Sequence, residues 1–211
     1  MINMVKLPTN KSSLFLRVAK GHFATSHSHI NYYIDVTTQK ARLSEAKAVA
    51  KELVAAYQHS TIVDTVLCLD GTQVIGTCLA NELTKDGFAN MNAHQTIYVV
   101  TPEYDTTSQL IFRDNLTPMI VGREVLILIS TVNSGKSARR TLECVQYYGG
   151  KVQGIAAIFS MLEQVDGIPV YSLFSPDDIA GYISSSPKEC PMCRAGQKID
   201  ALANSFGLSM L

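Results

Sequence analysis

Along residues 42–59, "RLSEAKAVAKELVAAYQH", apolar positions recur at helical spacing with Lys and Glu between them, so an amphipathic helix is expected there. Strand and helix patterns then alternate. "TIVDTVLCL" (61–69) is a β-rich run that ends in "DGT", and "QVIGTCLANEL" (73–83) reads as a helix. "QTIYVV" (95–100) is a strand followed by the polar loop "TPEYDTTSQ" (101–109). "EVLILI" (124–129) is apolar without interruption, the mark of a strand covered on both faces. "KSARRTLECVQYYGG" (136–150) is a helix closed by glycines, and "VQGIAAIFS" (152–160) and "IPVYSLF" (168–174) are strands before a Pro, Ser and Asp-rich tail. Upstream, a short helix is expected near "SSLFLRVAK" (12–20), and short strands and turns in "GHFATSHSHINYYID" (21–35). There is no internal repeat and no low-complexity tract.

Strands alternating with helices at these lengths predict an α/β fold, a central parallel sheet flanked by helices. In such sheets ligands bind beyond the carboxyl ends of the strands. Three loops leave strand ends here: 70–72, 101–109 and "STVNSGKS" (130–137). All three should face one crevice.

Composition narrows the function classes. The chain has 211 residues, enough for a large core, and 18 basic residues balance 18 acidic ones. No general field therefore draws in nucleic acid or an anionic membrane. "MINMVKLPTNKSSLFLRVAKGHF" holds no apolar core followed by a small-residue cleavage site, and no window reaches the roughly 18 apolar residues of a membrane span. A soluble, cytoplasmic protein is the expectation. Cys68, Cys78 and Cys144 lie in apolar segments and read as reduced core thiols.

The chemistry concentrates in 130–137. Small residues let successive backbone N–H groups converge on an anion, the helix that follows adds its positive end, and Ser134, Lys136 and Ser137 can donate from side chains. Ser130, Thr131, Val132, Asn133, Ser134, Gly135, Lys136 and Ser137 are thus candidate phosphate-binding residues, against the alternative of an ordinary turn capped by serine. The same stretch is a phosphate-binding P-loop pattern with its first glycine replaced by Ser130. A nucleoside triphosphatase would also need a later apolar strand ending in Asp, and the later strands end in "IFS" and "LFS".

In the second loop, Gly71 permits close backbone approach to a ligand. Tyr32 and Tyr33 can stack on a heterocycle or serve as core. His27 and His29 suit a metal or phosphate only with a third partner. Cys190 and Cys193, in "CPMC", have zinc-knuckle spacing but make half a tetrahedral site, so zinc would need histidines or another chain.

Together these segments resemble the type I phosphoribosyltransferases, most closely the orotate phosphoribosyltransferase-like branch. "GHFATSHSHINYYID" is similar to that family's hood over the base. "CLDGTQVIGTCLANEL" is similar to its pyrophosphate-binding turn and helix. "QLIFRDNLTPMIVGREVLILISTVNSGKSARRTLECVQYYGGKVQGIAAIFS" is similar to its loop for 5-phosphoribosyl 1-diphosphate (PRPP) and the elements around it. The resemblance implies a hood segment (1–40), a phosphoribosyltransferase-like core (41–185) and a C-terminal tail with CPMC (186–211). It implies transfer of phosphoribose from PRPP to a nitrogenous base with release of pyrophosphate, Mg2+ as cofactor, and a homodimer. Asp70, Gly71 and Thr72 would meet pyrophosphate, and Tyr32 and Tyr33 would line the base side.

The pattern also departs from the family. Ile129 and Ser130 stand where it carries two adjacent acids, the 101–109 loop has no basic residue before Arg113, and Thr25 stands at the orotate-binding hood lysine. The other acids at strand ends are Asp70, Glu103 and Asp105. A ribose-phosphate or nucleotide sensor that has lost turnover is the alternative.

Overall fold

The computed structural model describes residues 3–8, 14–87, 89–107 and 109–211. In chain order, β1 (Met4–Pro8), β2 (Phe15–Ala24) and β3 (His29–Asp35) form an antiparallel group. Helices α1 (Thr37–Ala41) and α2 (Leu43–Leu53) lead to β4 (Thr65–Cys68), α3 (Gln73–Leu83) and β5 (Tyr98–Val100). A hairpin of two short strands, β6 (Glu103–Tyr104) and β7 (Leu110–Ile111), precedes β8 (Glu124–Val132), α4 (Lys136–Tyr147) and β9 (Lys151–Ser160). The chain continues through β10 (Gln164–Val165), β11 (Ile168–Phe174), β12 (Ser184–Ser185), α5 (Pro191–Arg194), β13 (Ala201–Asn204) and β14 (Gly207–Met210).

One six-stranded sheet runs β10-β11-β9-β8-β4-β5, parallel at every pairing except β10 with β11. Its two faces explain the unbroken apolar run of β8. Leu126 and Leu128 point into one core with Ala46, Leu53, Ile75 and Leu79, while Val125, Ile127 and Ile129 point into the other with Leu142 and Val145 of α4. Each Leu or Ile so buried contributes about 1.5–3 kcal/mol. Helix α3 lies so close on β4 that a Cβ at Gly76 would overlap the Cys68 sulfur.

The second sheet runs β12-β3-β2-β13-β14, with β1 on the outer edge of β2. Both ends of the chain share it. β13 pairs in parallel with β2, Ala201 opposite Phe23, and Ala201 and Ala203 pack on Ala19, Phe23 and Ile30 in a small core of their own. The pattern gave 168–174 as the last strand, whereas β12, β13 and β14 follow it as strands of this sheet.

One expected element is corrected. Residues 15–20 are strand, not helix; Ser12 and Ser13 lie outside the described residues. Leu14, Leu16 and Val18 are buried while Phe15 is exposed, a period of two that the crowded apolar run disguised. No helix among the described residues is long and apolar enough to cross a membrane.

Candidate functional site

A cavity of about 370 Å³ lies between the second sheet and the carboxyl ends of the parallel strands. Its floor is the end of β8, the turn Asn133–Gly135 and the start of α4; the expected loop 130–137 is shorter because Ser130–Val132 continue the strand. Residues 129–138 all line it, joined by Asp70 beyond β4 and Tyr104 of β6, so the three stretches that follow strand ends do meet in one crevice. Its roof is the turn Thr25–Ser28 with Tyr33 of β3, and Tyr182 and Asn204 close the side.

The floor is shaped by Gly135. Its φ of +74° places it in the left-handed region, and a Cβ there would stand 2.9 Å from Leu162 Cδ1. Glycine alone satisfies both conditions without strain. Gly135 caps α4, and no side chain caps the helix by hydrogen bonding. The first N–H groups of α4 lack intrahelical acceptors and carry the positive end of its dipole. Ser134, Lys136 and Ser137 are exposed on this lip, as is Arg140, one turn beyond Lys136 on the same face. Thr131 and Asn133 are half-buried, Asn133 accepting a hydrogen bond of 3.0 Å from the Tyr182 hydroxyl, and Val132 belongs to the core.

Asp70 enters beside this loop. The Ser130 hydroxyl donates to its Oδ2 at 3.1 Å, and burial raises its carboxyl above the usual range, opposed by Ser130 and by the Lys40 charge. Asp70 and Gly71 both have positive φ, 54° and 75°, which turns the carboxylate back over the end of β8. Lys40 locks that turn by donating to the carbonyls of Asp70 (2.8 Å) and Ser205 (2.7 Å). Burial lowers the Lys40 ammonium below its usual value, with Asp70 and Asp35 opposing. Thr72 is wholly buried, its hydroxyl donating to the carbonyls of Leu69 (2.7 Å) and Leu128 (3.2 Å). Asp70 lines the cavity, Thr72 braces the turn, and Gly71 supplies its conformation.

On the roof, Tyr33 lines the cavity, whereas Tyr32 packs against the larger core. Burial pushes the Tyr33 phenol up, with Asp35 adding to it. His27 is held below its ordinary value by burial and then by the charges of Lys136 and Arg140, so cations from α4 face the roof. Thr25 spends its hydroxyl on the turn, donating to the Ser28 carbonyl at 2.8 Å. Tyr104 is pushed up by burial and by Asp70, with Arg140 opposing. Ile129 is buried on the α4 side of the sheet. Of the other acids, Glu103 pairs with Arg113 at 2.7 Å, and Asp105 is bound into its own hairpin by the N–H groups of Thr107 and Gln109.

Sequence reasoning did not single out Lys40, Tyr104, Arg140 or Tyr182. Arg140 had a signal, its spacing of four from Lys136 on one helix; the other three reach the cavity from distant elements. Cys190 and Cys193 lie outside the cavity lining, beside His22 and His29; His27 stays with the cavity.

No family model matches the chain. It is 26% identical over 207 residues to the orotate phosphoribosyltransferase of Chlorobaculum parvum, covering 95% of each chain. The orotate phosphoribosyltransferase of Mycobacterium tuberculosis H37Rv superposes with a TM-score of 0.54 at 17% identity, over 78% of this chain and 93% of that one. The adenine phosphoribosyltransferase of Leishmania donovani does so at 0.52 and 16% identity, over 76% and 78%. The chain is phosphoribosyltransferase-like and has the type I phosphoribosyltransferase fold.

Proposed function

We propose that the cavity binds PRPP and that the protein transfers its phosphoribosyl group to a ring nitrogen of a base, releasing pyrophosphate. The observation that carries this reading is the meeting of an uncapped helix N-terminus and a carboxylate in one cavity: the α4 lip with Lys136 and Arg140 on one side, Asp70 on the other. The 5-phosphate sits on the N–H groups of Ser134–Ser137, where a helix dipole and two cations favour it. The ribose lies over Ser130 and Asp70.

Asp70 takes the part of the missing acidic pair. Ile129 is a core side chain, so the carboxylate reaches the ribose from the neighbouring strand end, through the 3.1 Å contact with Ser130. Mg2+ fits such a site, since it is held by one or two carboxylates together with substrate phosphates. Asp70 would hold it, and the ion would neutralise charge on the departing pyrophosphate. In the transfer, the bond from ribose C1 to the pyrophosphate oxygen breaks with its electron pair on the leaving group. A lone pair of the base nitrogen then forms the new bond at C1, and the nitrogen's proton goes to solvent. Tyr33 and His27 position the base from the roof, and Tyr104 stands over the pyrophosphate side.

The test is calorimetric titration with PRPP and Mg2+, with ribose 5-phosphate and with orotidine monophosphate, followed by pyrophosphate release with a panel of purine and pyrimidine bases. Mg2+-dependent PRPP binding with release on adding one base is the expected result and names the substrate. Tight binding of a ribose phosphate with no release from any base would replace the transferase by a sensor. The absence of a loop lysine between Thr101 and Ile111 is what favours that second reading.

A further inference from the structure

We propose that His22, His29, Cys190 and Cys193 form a structural zinc site that fastens the C-terminal segment to the sheet roofing the cavity. One ligand atom from each residue lies within 4.8 Å of all the others. His22 Nε2 stands 3.1 Å from His29 Nδ1, 3.5 Å from Cys190 Sγ and 3.7 Å from Cys193 Sγ, and Cys193 Sγ stands 3.3 Å from His29 Nδ1. Zinc bonds of about 2.0–2.1 Å to nitrogen and 2.3 Å to sulfur at tetrahedral angles separate ligand atoms by about 3.3–3.8 Å. Four of the six separations, at 3.1–3.7 Å, thus come close to the edges of a zinc tetrahedron, and the other two stay within 4.8 Å.

A second observation is independent of those distances. His22 Nδ1 faces the carbonyls of Gln197 (3.0 Å) and Lys198 (3.2 Å). Only a donor satisfies two carbonyls, so Nδ1 carries a proton, and in the neutral ring Nε2 is the lone-pair atom aimed at His29, Cys190 and Cys193. This is how proteins orient a metal-binding imidazole through its other nitrogen. His22 and Cys190 are wholly buried, and His29 nearly so.

The backbone is bent to serve this arrangement. Register between β2 and β3 shifts between Lys20 and Phe23, a bulge that buries His22 and Phe23 in succession. The His22 N–H donates to Asp200 Oδ2 at 2.7 Å and its carbonyl accepts from the Asp200 N–H at 2.8 Å, so the strand is tied to the C-terminal segment where the ligands gather.

On binding, the two thiols release their protons and two thiolates balance the dication, leaving a neutral complex that suits a site with three buried ligands and Cys193 exposed at its edge. Four protein ligands close the coordination sphere, so the ion builds structure and has no place for substrate. Thr25, Ser26, His27 and Ser28, the cavity's roof, lie in the chain between the two histidines, so the same ion sets the roof's position.

The experiment is metal analysis of the full-length protein purified under reducing conditions without chelators, with Co2+ replacement read by visible absorption. One zinc per chain that survives dialysis, and a tetrahedral cobalt–thiolate spectrum, are expected. His22→Ala and Cys193→Ser should each abolish retention, while Cys144→Ser, distant from the cluster, should keep it; chelation of the wild type should lower its thermal midpoint. Wild-type protein that refolds with zinc present yet retains none on dialysis would overturn the site, as would a Cys190–Cys193 disulfide in place of the metal. Because the readout is the metal itself, it stands whether or not the protein turns over PRPP.

Discussion

Gly135 is the residue on which the anion site turns. An alanine there must take a left-handed conformation costing about 1–2 kcal/mol and press on Leu162. Gly135→Ala should therefore lower stability by about 1–3 kcal/mol in urea titration and abolish binding of ribose 5-phosphate. Asp70 presents the opposite trade. Its folded-state pKa is raised by burial, so the stability it contributes is present at low pH and is lost as pH rises through the folded pKa. Asp70→Asn removes that loss. The variant should melt above the wild type at neutral pH, the difference should close below about pH 4, and Mg2+-dependent PRPP binding should disappear. His27 reports on the site directly. Burial and then the charges of Lys136 and Arg140 hold it down, so an anion on the α4 lip, by offsetting those charges, should raise its pKa, visible by NMR titration with and without inorganic phosphate; an unchanged value would place the anion elsewhere.

Among the elements, α3 on β4 is the tightest fit. The Gly76 Cα faces the Cys68 sulfur with no room for a methyl group, and Gly76→Ala should destabilise by about 1–3 kcal/mol despite its better helix propensity. A smaller partner should relieve it. The double variant Gly76→Ala/Cys68→Gly should recover part of the loss in a double-mutant cycle. The elements most legible in sequence were those with one clear pattern: α3 spans Gln73–Leu83 as its pattern predicts, and β8 follows from its unbroken apolar run. β2 was not legible as strand. Apolar Phe15 sits between the buried Leu14 and Leu16, so the outward face of the strand mimicked a helical stripe.

For the whole molecule, two sheets of unequal depth should open unequally. β8 and β9, central and parallel with both faces covered, should hold the slowest-exchanging amides, whereas β1 and β14 at the margins of the second sheet should exchange orders of magnitude faster. Hydrogen exchange checks this, and equal protection of β14 and β8 would refute it.

The sequence by itself determined the parallel sheet, the order of its helices and the loop that could hold an anion, because period, turn residues and helix caps are local properties. It also marked Gly71, Gly135 and Lys136, whose residue types carry their meaning wherever they fall. Only the tertiary structure decided that Asp70 stands beside Ser130, that Tyr33 and not Tyr32 lines the cavity, and that His22 and His29 meet Cys190 and Cys193. Those pairings join residues 60 and 168 positions apart, as Asp70–Ser130 and His22–Cys190 do. A bulge, two residues of positive φ and a parallel strand from the far end of the chain bring them together, and none of these leaves a periodic trace in the order of the amino acids.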